Sequence, residues 1–351
     1  MKAESDFAWE VRQYCANIAS NPLLVQAAGG NVSWKDGDRL WIKASGMWLA
    51  NATKENIFVP VDLPSLKNAL QSENFGFVAH AMEGHTLRPS IETLLHALMP
   101  HAFVVHLHPV HALAWLTRED CVSVLRERLQ HVNIEWALVD YQRPGEDLAR
   151  AVHAALRTRA GVQAILLQNH GVILGANSVE EAVHLSKLLE TALATEPRSL
   201  PRAVAADLQI LTSSPYADAG YTPASDTALH LLATDADLYQ RVCHEWALCP
   251  DHVVFLGARA VCISSTQSLP LAQDGEAAPA FVFVQNTGVL QHRSASPAQC
   301  AQLRFYLDVM LRQAQDAPRN VLSAQQISKL LNWDAEKYRI SLNQTLAIAK
   351  P

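Results

Sequence analysis

Two short histidine-bearing segments hold the clearest chemistry in the chain. Phe103-Val-Val-His-Leu-His-Pro109 places His106 and His108 two residues apart, and Gln168-Asn-His-Gly-Val-Ile-Leu174 supplies His170 beside a glycine. Residues two apart in a β-strand face the same side, so the first pair would present two imidazoles together. Three imidazoles form a facial donor set that leaves a coordination position open on a zinc-class ion. Such an ion polarises a substrate oxygen, whereas a structural ion is closed off by four protein ligands.

The elements that must position these residues follow from the apolar pattern. Residues 5–20 read as an opening helix stopped by Asn21-Pro22, and Leu40–Gly46 as a short alternating strand ending in a Ser-Gly turn. A helix over 90–99 is expected, capped by Ser90 after Pro89, followed by a buried strand over 102–107. Helices over Ala112–Arg118, Glu146–Arg157 and Val179–Thr195 surround a further strand at Ala164–Gln168. Glu196-Pro-Arg-Ser-Leu-Pro201 is the boundary candidate, dividing the chain into 1–198 and 199–351. The second part is read as helical near 226–248, 297–315 and 323–332, with strands at 252–256, 260–264 and 280–284.

Composition narrows the partners. The 351 residues are 49% hydrophobic and 18% charged, with a formal net charge of −6, and a sequence pI of about 6.2. No long Lys/Arg cluster offers a nucleic-acid surface or a polybasic membrane anchor, so a small-molecule partner is expected. The acidic start Met1-Lys-Ala-Glu-Ser-Asp6 does not resemble a secretory leader, and no apolar run has membrane-spanning length, so a cytoplasmic location is expected. Six scattered cysteines, Cys15, Cys121, Cys243, Cys249, Cys262 and Cys300, form no Cys-x-x-Cys pair, and most of them read as buried hydrophobes. No Gly-x-Gly-x-x-Gly is present, so no nicotinamide cofactor is assigned.

Five separated segments together carry a resemblance. Gly29-Gly-Asn-Val-Ser33, Lys43-Ala-Ser-Gly46, Pro89-Ser-Ile-Glu92, His106-Leu-His108 and Asn169-His-Gly171 are similar, in order and spacing, to the class II aldolase/adducin family over roughly residues 7–195. The remainder, including Pro250–Leu256 and Leu330–Tyr338, resembles the aldolase part of bifunctional rhamnulose-1-phosphate aldolase/dehydrogenase proteins. The resemblance implies an α/β fold, a three-layer α/β/α domain followed by a second, smaller α/β domain. It implies a Zn2+ or other divalent ion on His106, His108 and His170, and Glu92 as the catalytic acid/base. It places Gly30, Asn31, Ser45, Gly46 and Ser90 around a substrate phosphate, where backbone N–H groups and short polar side chains bind an anion without lysines. The implied reaction is metal-dependent cleavage of a ketose 1-phosphate, such as rhamnulose 1-phosphate, to dihydroxyacetone phosphate and an aldehyde. A homo-oligomer, tetrameric in the family, is implied as well.

Two departures qualify that reading. Simpler relatives carry two serines before the glutamate, whereas this chain has Ser90-Ile91. A tyrosine that protonates the departing aldehyde in those relatives has no counterpart in 118–138, and Tyr141 is the nearest candidate, without an alignment to support it. The alternatives are an epimerase, decarboxylase or dehydratase on the same metal site, or a non-catalytic adducin-like interaction protein. His96 and His111 could border the site, with a second-shell or core role the simpler reading for each. His80, His85, His101 and His252 are read as structural or surface residues, and Trp41, Trp48, Trp115 and Trp333 as packing residues.

Overall fold

The computed structural model describes residues 6–213, 215–265 and 278–332, so Trp333 and most of the Leu330–Tyr338 segment lie outside the described residues. A seven-stranded sheet forms the centre of the N-terminal part: β1 (Asn31–Asp36), β2 (Arg39–Lys43), β3 (Phe58–Asp62), β4 (Phe103–Leu107), β5 (Trp136–Val139), β6 (Ala164–Leu167) and β7 (Gly171–Ala176). Their order is β3-β2-β1-β4-β7-β6-β5, antiparallel except between β5 and β6. β4 and β7 are buried along their whole length, which explains their continuous apolar runs.

Helices cover both faces. On one side lie α1 (Asp6–Ala19) and, after α2 (Leu63–Gln71) and α3 (Thr93–Leu98) on the other, α4 (Val110–Leu116) and α5 (Cys121–Leu129). α6 (Glu146–Thr158) joins the α2 and α3 face, and α7 (Val179–Leu193) joins α1. Phe103, Val105 and Leu107 of β4 enter the α1/α4/α7 core, whereas Val104 enters the core under α3 and α6. Burying each such side chain contributes about 1.5–3 kcal/mol. By the two-residue period of the strand, His106 shares the face of Val104, the face toward α3.

The C-terminal part has its own four-stranded sheet: β8 (Tyr221–Pro223), β9 (Val261–Ile263), β10 (Phe281–Val284) and β11 (Gly288–His292), in the order β8-β11-β10-β9. Around it run α8 (Leu208–Thr212), α9 (Leu231–Thr234), α10 (Ala236–His244), α11 (Pro250–Leu256), α12 (Pro297–Leu311) and α13 (Ala324–Leu331). One continuous apolar core joins the two parts, running from Val11, Phe103 and Leu107 to Leu232, Phe283 and Tyr306. Among the described residues no helix is long and apolar enough to cross a membrane.

Several expectations are corrected. The run at 252–256 is helical, because Pro250 fits the first turn and Asp251 adds an acid there, with Gly257 at φ 87° ending the helix. The helix expected from residue 90 begins at Thr93, since the Ser90 hydroxyl accepts the Glu92 N–H instead of opening a longer helix. Strand β3, interrupted by Pro60, lies at the sheet edge, where a missing N–H is tolerated.

Candidate metal centre

His106 leaves β4 toward α3, His108 follows the end of that strand, and His170 stands on the turn joining β6 to β7. One nitrogen from each of the three buried rings lies within 4.8 Å of the others. Nε2 of His106 and Nε2 of His108 are 3.1 Å apart. Neighbouring donors of a tetrahedral shell with zinc–nitrogen bonds near 2.0–2.1 Å are about 3.3 Å apart. The pair thus fits such an ion.

Gly171 is required by this proximity. A Cβ there would stand 2.9 Å from the His108 ring and 3.2 Å from that of His106, and would overlap the Leu107 carbonyl. Asn169, at φ 53°, turns the backbone so that His170 faces the other two. On its far side His106 meets the Val172 carbonyl through Nδ1 at 3.1 Å, which orients the ring.

Glu92 stands beside the three imidazoles. Its Oε2 lies 3.7 Å from His106 Nε2 and its Oε1 lies 3.5 Å from His170 Nε2. Although Glu92 occupies the position before α3, its carboxylate makes no capping bond to that helix. Oε1 is buried without a hydrogen-bond partner among the described residues. A buried carboxylate oxygen left unpaired beside three imidazoles is what an ion would satisfy, so the residues fit a divalent metal.

Burial pushes the pKa of His106 down to about 4 and that of His170 to about 3, keeping both rings in the neutral form that binds metal. Burial works against ionisation of Glu92, and attraction to the cluster of His106, His170, His96 and His108 outweighs it and draws the carboxyl pKa down to about 2, so a proton taken up by the cluster sits on an imidazole rather than on Glu92. Asn31 reinforces that state by donating from Nδ2 to Oε2 at 2.8 Å. Its place is set by register, since Asn31 of β1 pairs with His106 of β4.

Gly30, Asn31, Ser45, Gly46, Ser90, Glu92, His108 and His170 line one pocket, with His106 behind them. The pocket also contains residues that the sequence did not single out. Lys43 buries its ammonium in the wall, donating to the carbonyls of Ala28 and Met47 at 2.8 Å each. Asp251, from α11, forms part of the opposite wall with Pro250. Lys43 and Asp251 each stood inside a quoted segment without a role.

The enclosed space, about 30 Å³, borders a groove of about 720 Å³ through Ser45, Ser90 and Ile91. His96 is buried beside Ser33, its Nδ1 2.8 Å from the hydroxyl, and His111 accepts the Thr195 N–H away from the pocket. Tyr141 packs its ring against Ala247, Val253 and Leu322. His252 is buried, and His80 and His85 are exposed. Trp41 stacks on Trp34, and Trp115 bonds the Leu193 carbonyl, both in packing roles.

The model of the class II aldolase and adducin N-terminal domain family matches residues 10–196. The chain belongs to this family. A curated relative of the class II aldolase family chain, an L-fuculose phosphate aldolase of Methanococcus maripaludis, is 26% identical over 47% of this chain and 83% of its own length. An uncharacterized oxidoreductase of Bacillus subtilis, YuxG, is 27% identical over 46% of this chain, which spans only 25% of that longer protein. Among solved structures, the N-terminal class II aldolase domain of a conserved Thermoplasma acidophilum protein is similar at 23% identity. It covers 55% of this chain and 94% of its own, with a TM-score of 0.44.

Proposed function

We propose that the chain is a zinc-dependent aldehyde-lyase cleaving a ketose 1-phosphate, such as rhamnulose 1-phosphate, to dihydroxyacetone phosphate and an aldehyde. The observation that carries this reading is the Glu92 carboxylate, held by Asn31 and aimed at two of three clustered imidazoles. A divalent ion on His106, His108 and His170 would supply electrophilic pull on the carbonyl and adjacent hydroxyl oxygens of the sugar.

Cleavage removes the hydroxyl proton beside the scissile carbon–carbon bond, releases the aldehyde and leaves an electron pair on the carbon of the three-carbon fragment. A proton must then reach that carbon. Glu92, lining the pocket at the edge of the histidine cluster, is the group placed to move it, a role worth roughly 10²–10⁴-fold in rate. Asn31, by donating to the carboxylate, holds it in one orientation.

The phosphate would lie against Gly30, Ser45, Gly46 and Ser90, with the Lys43 ammonium in the wall supplying charge. That charge would offset the hydroxyl missing at Ile91. Space of about 30 Å³ holds an ion and water but no sugar, so the rest of the substrate would extend into the adjoining groove. We read the enzyme as a homo-oligomer with a C-terminal unit from residue 199. Six unpaired cysteines suit a reducing cytoplasm.

Proton exchange tests the reading without requiring the natural aldehyde. Zinc-loaded protein incubated with dihydroxyacetone phosphate in D2O should exchange one proton of the hydroxymethyl carbon, followed by NMR, and a chelator should abolish it. Zinc-loaded protein that exchanges none would contradict the assignment.

A further inference from the structure

Past residue 196, where the family match ends, the chain returns twice to the histidine cluster. The first return is the opening turn of α11. Asp251, 3% exposed, brings Oδ2 to 3.4 Å from Nδ1 of His108. The other nitrogen of that ring, Nε2, faces His106. The imidazole therefore lies between the cluster and a buried carboxylate at ion-pair distance, with no hydrogen bond formed between Nδ1 and Oδ2. Gly29 permits the approach, because a Cβ there would stand 3.0 Å from Asp251 Oδ2 and 3.1 Å from His108 Nδ1.

The second return grips the turn that carries His170. Asn169 donates from Nδ2 to the carbonyls of Leu248, at 2.8 Å, and Asn320, at 2.6 Å. Its Oδ1 accepts from Asn320 Nδ2 at 2.9 Å. These bonds cross 79 and 151 residues of sequence and fix the residue whose positive φ aims His170. Leu248 and Asp251 are three residues apart, so one short stretch holds both ligand-bearing segments.

We propose that the C-terminal part is a positioning element of the metal centre: Asp251 sets the His108 ring, and Leu248 with Asn320 locks the His170 turn. This inference rests on the metal role of the three histidines. A carboxylate behind a ligating imidazole favours the tautomer with its proton on Nδ1, leaves the Nε2 lone pair for the ion and strengthens it as a donor. Asp251 and Asn320 touch ligands or their turn and act through them; neither needs to reach the substrate.

The test uses the full chain and reads metal rather than turnover. Zinc dissociation constants are measured by chelator competition for the wild type, Asp251→Asn and Asn320→Ala, with absorption spectra of the cobalt-substituted proteins and thermal unfolding of the apoproteins. Asp251→Asn should weaken zinc roughly 10–100-fold and alter the cobalt spectrum while the apoprotein still unfolds cooperatively. Asn320→Ala, at a half-buried position, should also weaken zinc. Wild-type zinc affinity with an unchanged cobalt spectrum in a folded Asp251→Asn protein overturns the proposal. If that variant does not fold, wild-type affinity in Asn320→Ala overturns it instead. A wild type that binds no zinc refutes the metal reading itself, a result distinct from either.

Discussion

Asn31 Nδ2 donates to Glu92 Oε2 at 2.8 Å, and the same oxygen lies 3.7 Å from His106 Nε2. One glycine-rich turn thereby reaches the acid/base residue and the metal ligands together. A hydrogen bond to a charged group contributes about 1.5–3 kcal/mol, and each 1.4 kcal/mol is about tenfold in rate. Asn31→Ala should therefore lower kcat about tenfold or more while zinc content stays at the wild-type level. An unchanged kcat would show that Asn31 does not hold the carboxylate for reaction.

Glu92→Gln keeps the shape of the side chain and removes its basicity. Turnover should fall roughly a hundredfold or more with metal retained, as loss of a general base requires. Steady-state kinetics paired with metal analysis distinguishes this from a structural role. Wild-type turnover would return Glu92 to an ordinary residue at the start of α3.

His106→Ala and His108→Ala should each lose zinc and activity together, because each leaves too few donors for the ion. Metal content after dialysis is the direct readout. Full metal in both variants would refute the ligand assignment.

His252 links burial to acid sensitivity. Its ring packs 5.0 Å from that of Phe305 and 5.5 Å from that of Tyr306, with both nitrogens unpartnered among the described residues, and burial pushes its pKa down to about 3. Between about pH 3 and the ordinary value near 6.5 the unfolded chain holds a proton that the native ring refuses. Stability is therefore lost as pH falls through that window. His252→Phe should flatten the fall of Tm between pH 7 and pH 5 in chelator-treated protein. An equally steep fall would mean that the native ring accepts the proton.

The metal ligands were legible because residue type and a two-residue period meet in one apolar strand, His106 to His108, and a glycine marks the approach of His170. Strands β4 and β6 and helices α6 and α7 followed from apolar runs bounded by turn residues. Asp251 was hidden for two reasons. It meets His108 across 143 positions, and the run His252–Leu256 has the β-branched, apolar look of a buried strand although Pro250 starts a helix. Lys43 was passed over because a lysine on a strand reads as a solvated charge, whereas here two carbonyls accept its protons inside the wall. The Asn169–Asn320 clamp depends on the tertiary meeting of two turns and leaves no local pattern.

Metal-dependent cleavage by this cluster is tested by measuring lactaldehyde released from rhamnulose and fuculose, each with and without the 1-phosphate. Zinc-loaded protein is compared with a chelator-treated control. Zinc-dependent release is expected, faster from the phosphorylated member of a pair because the Ser45-Gly46 turn and the Lys43 side chain in the wall would lie beside that group. Absence of release from all four sugars by protein that holds zinc would contradict it and favour an epimerase, decarboxylase or dehydratase at the same histidines.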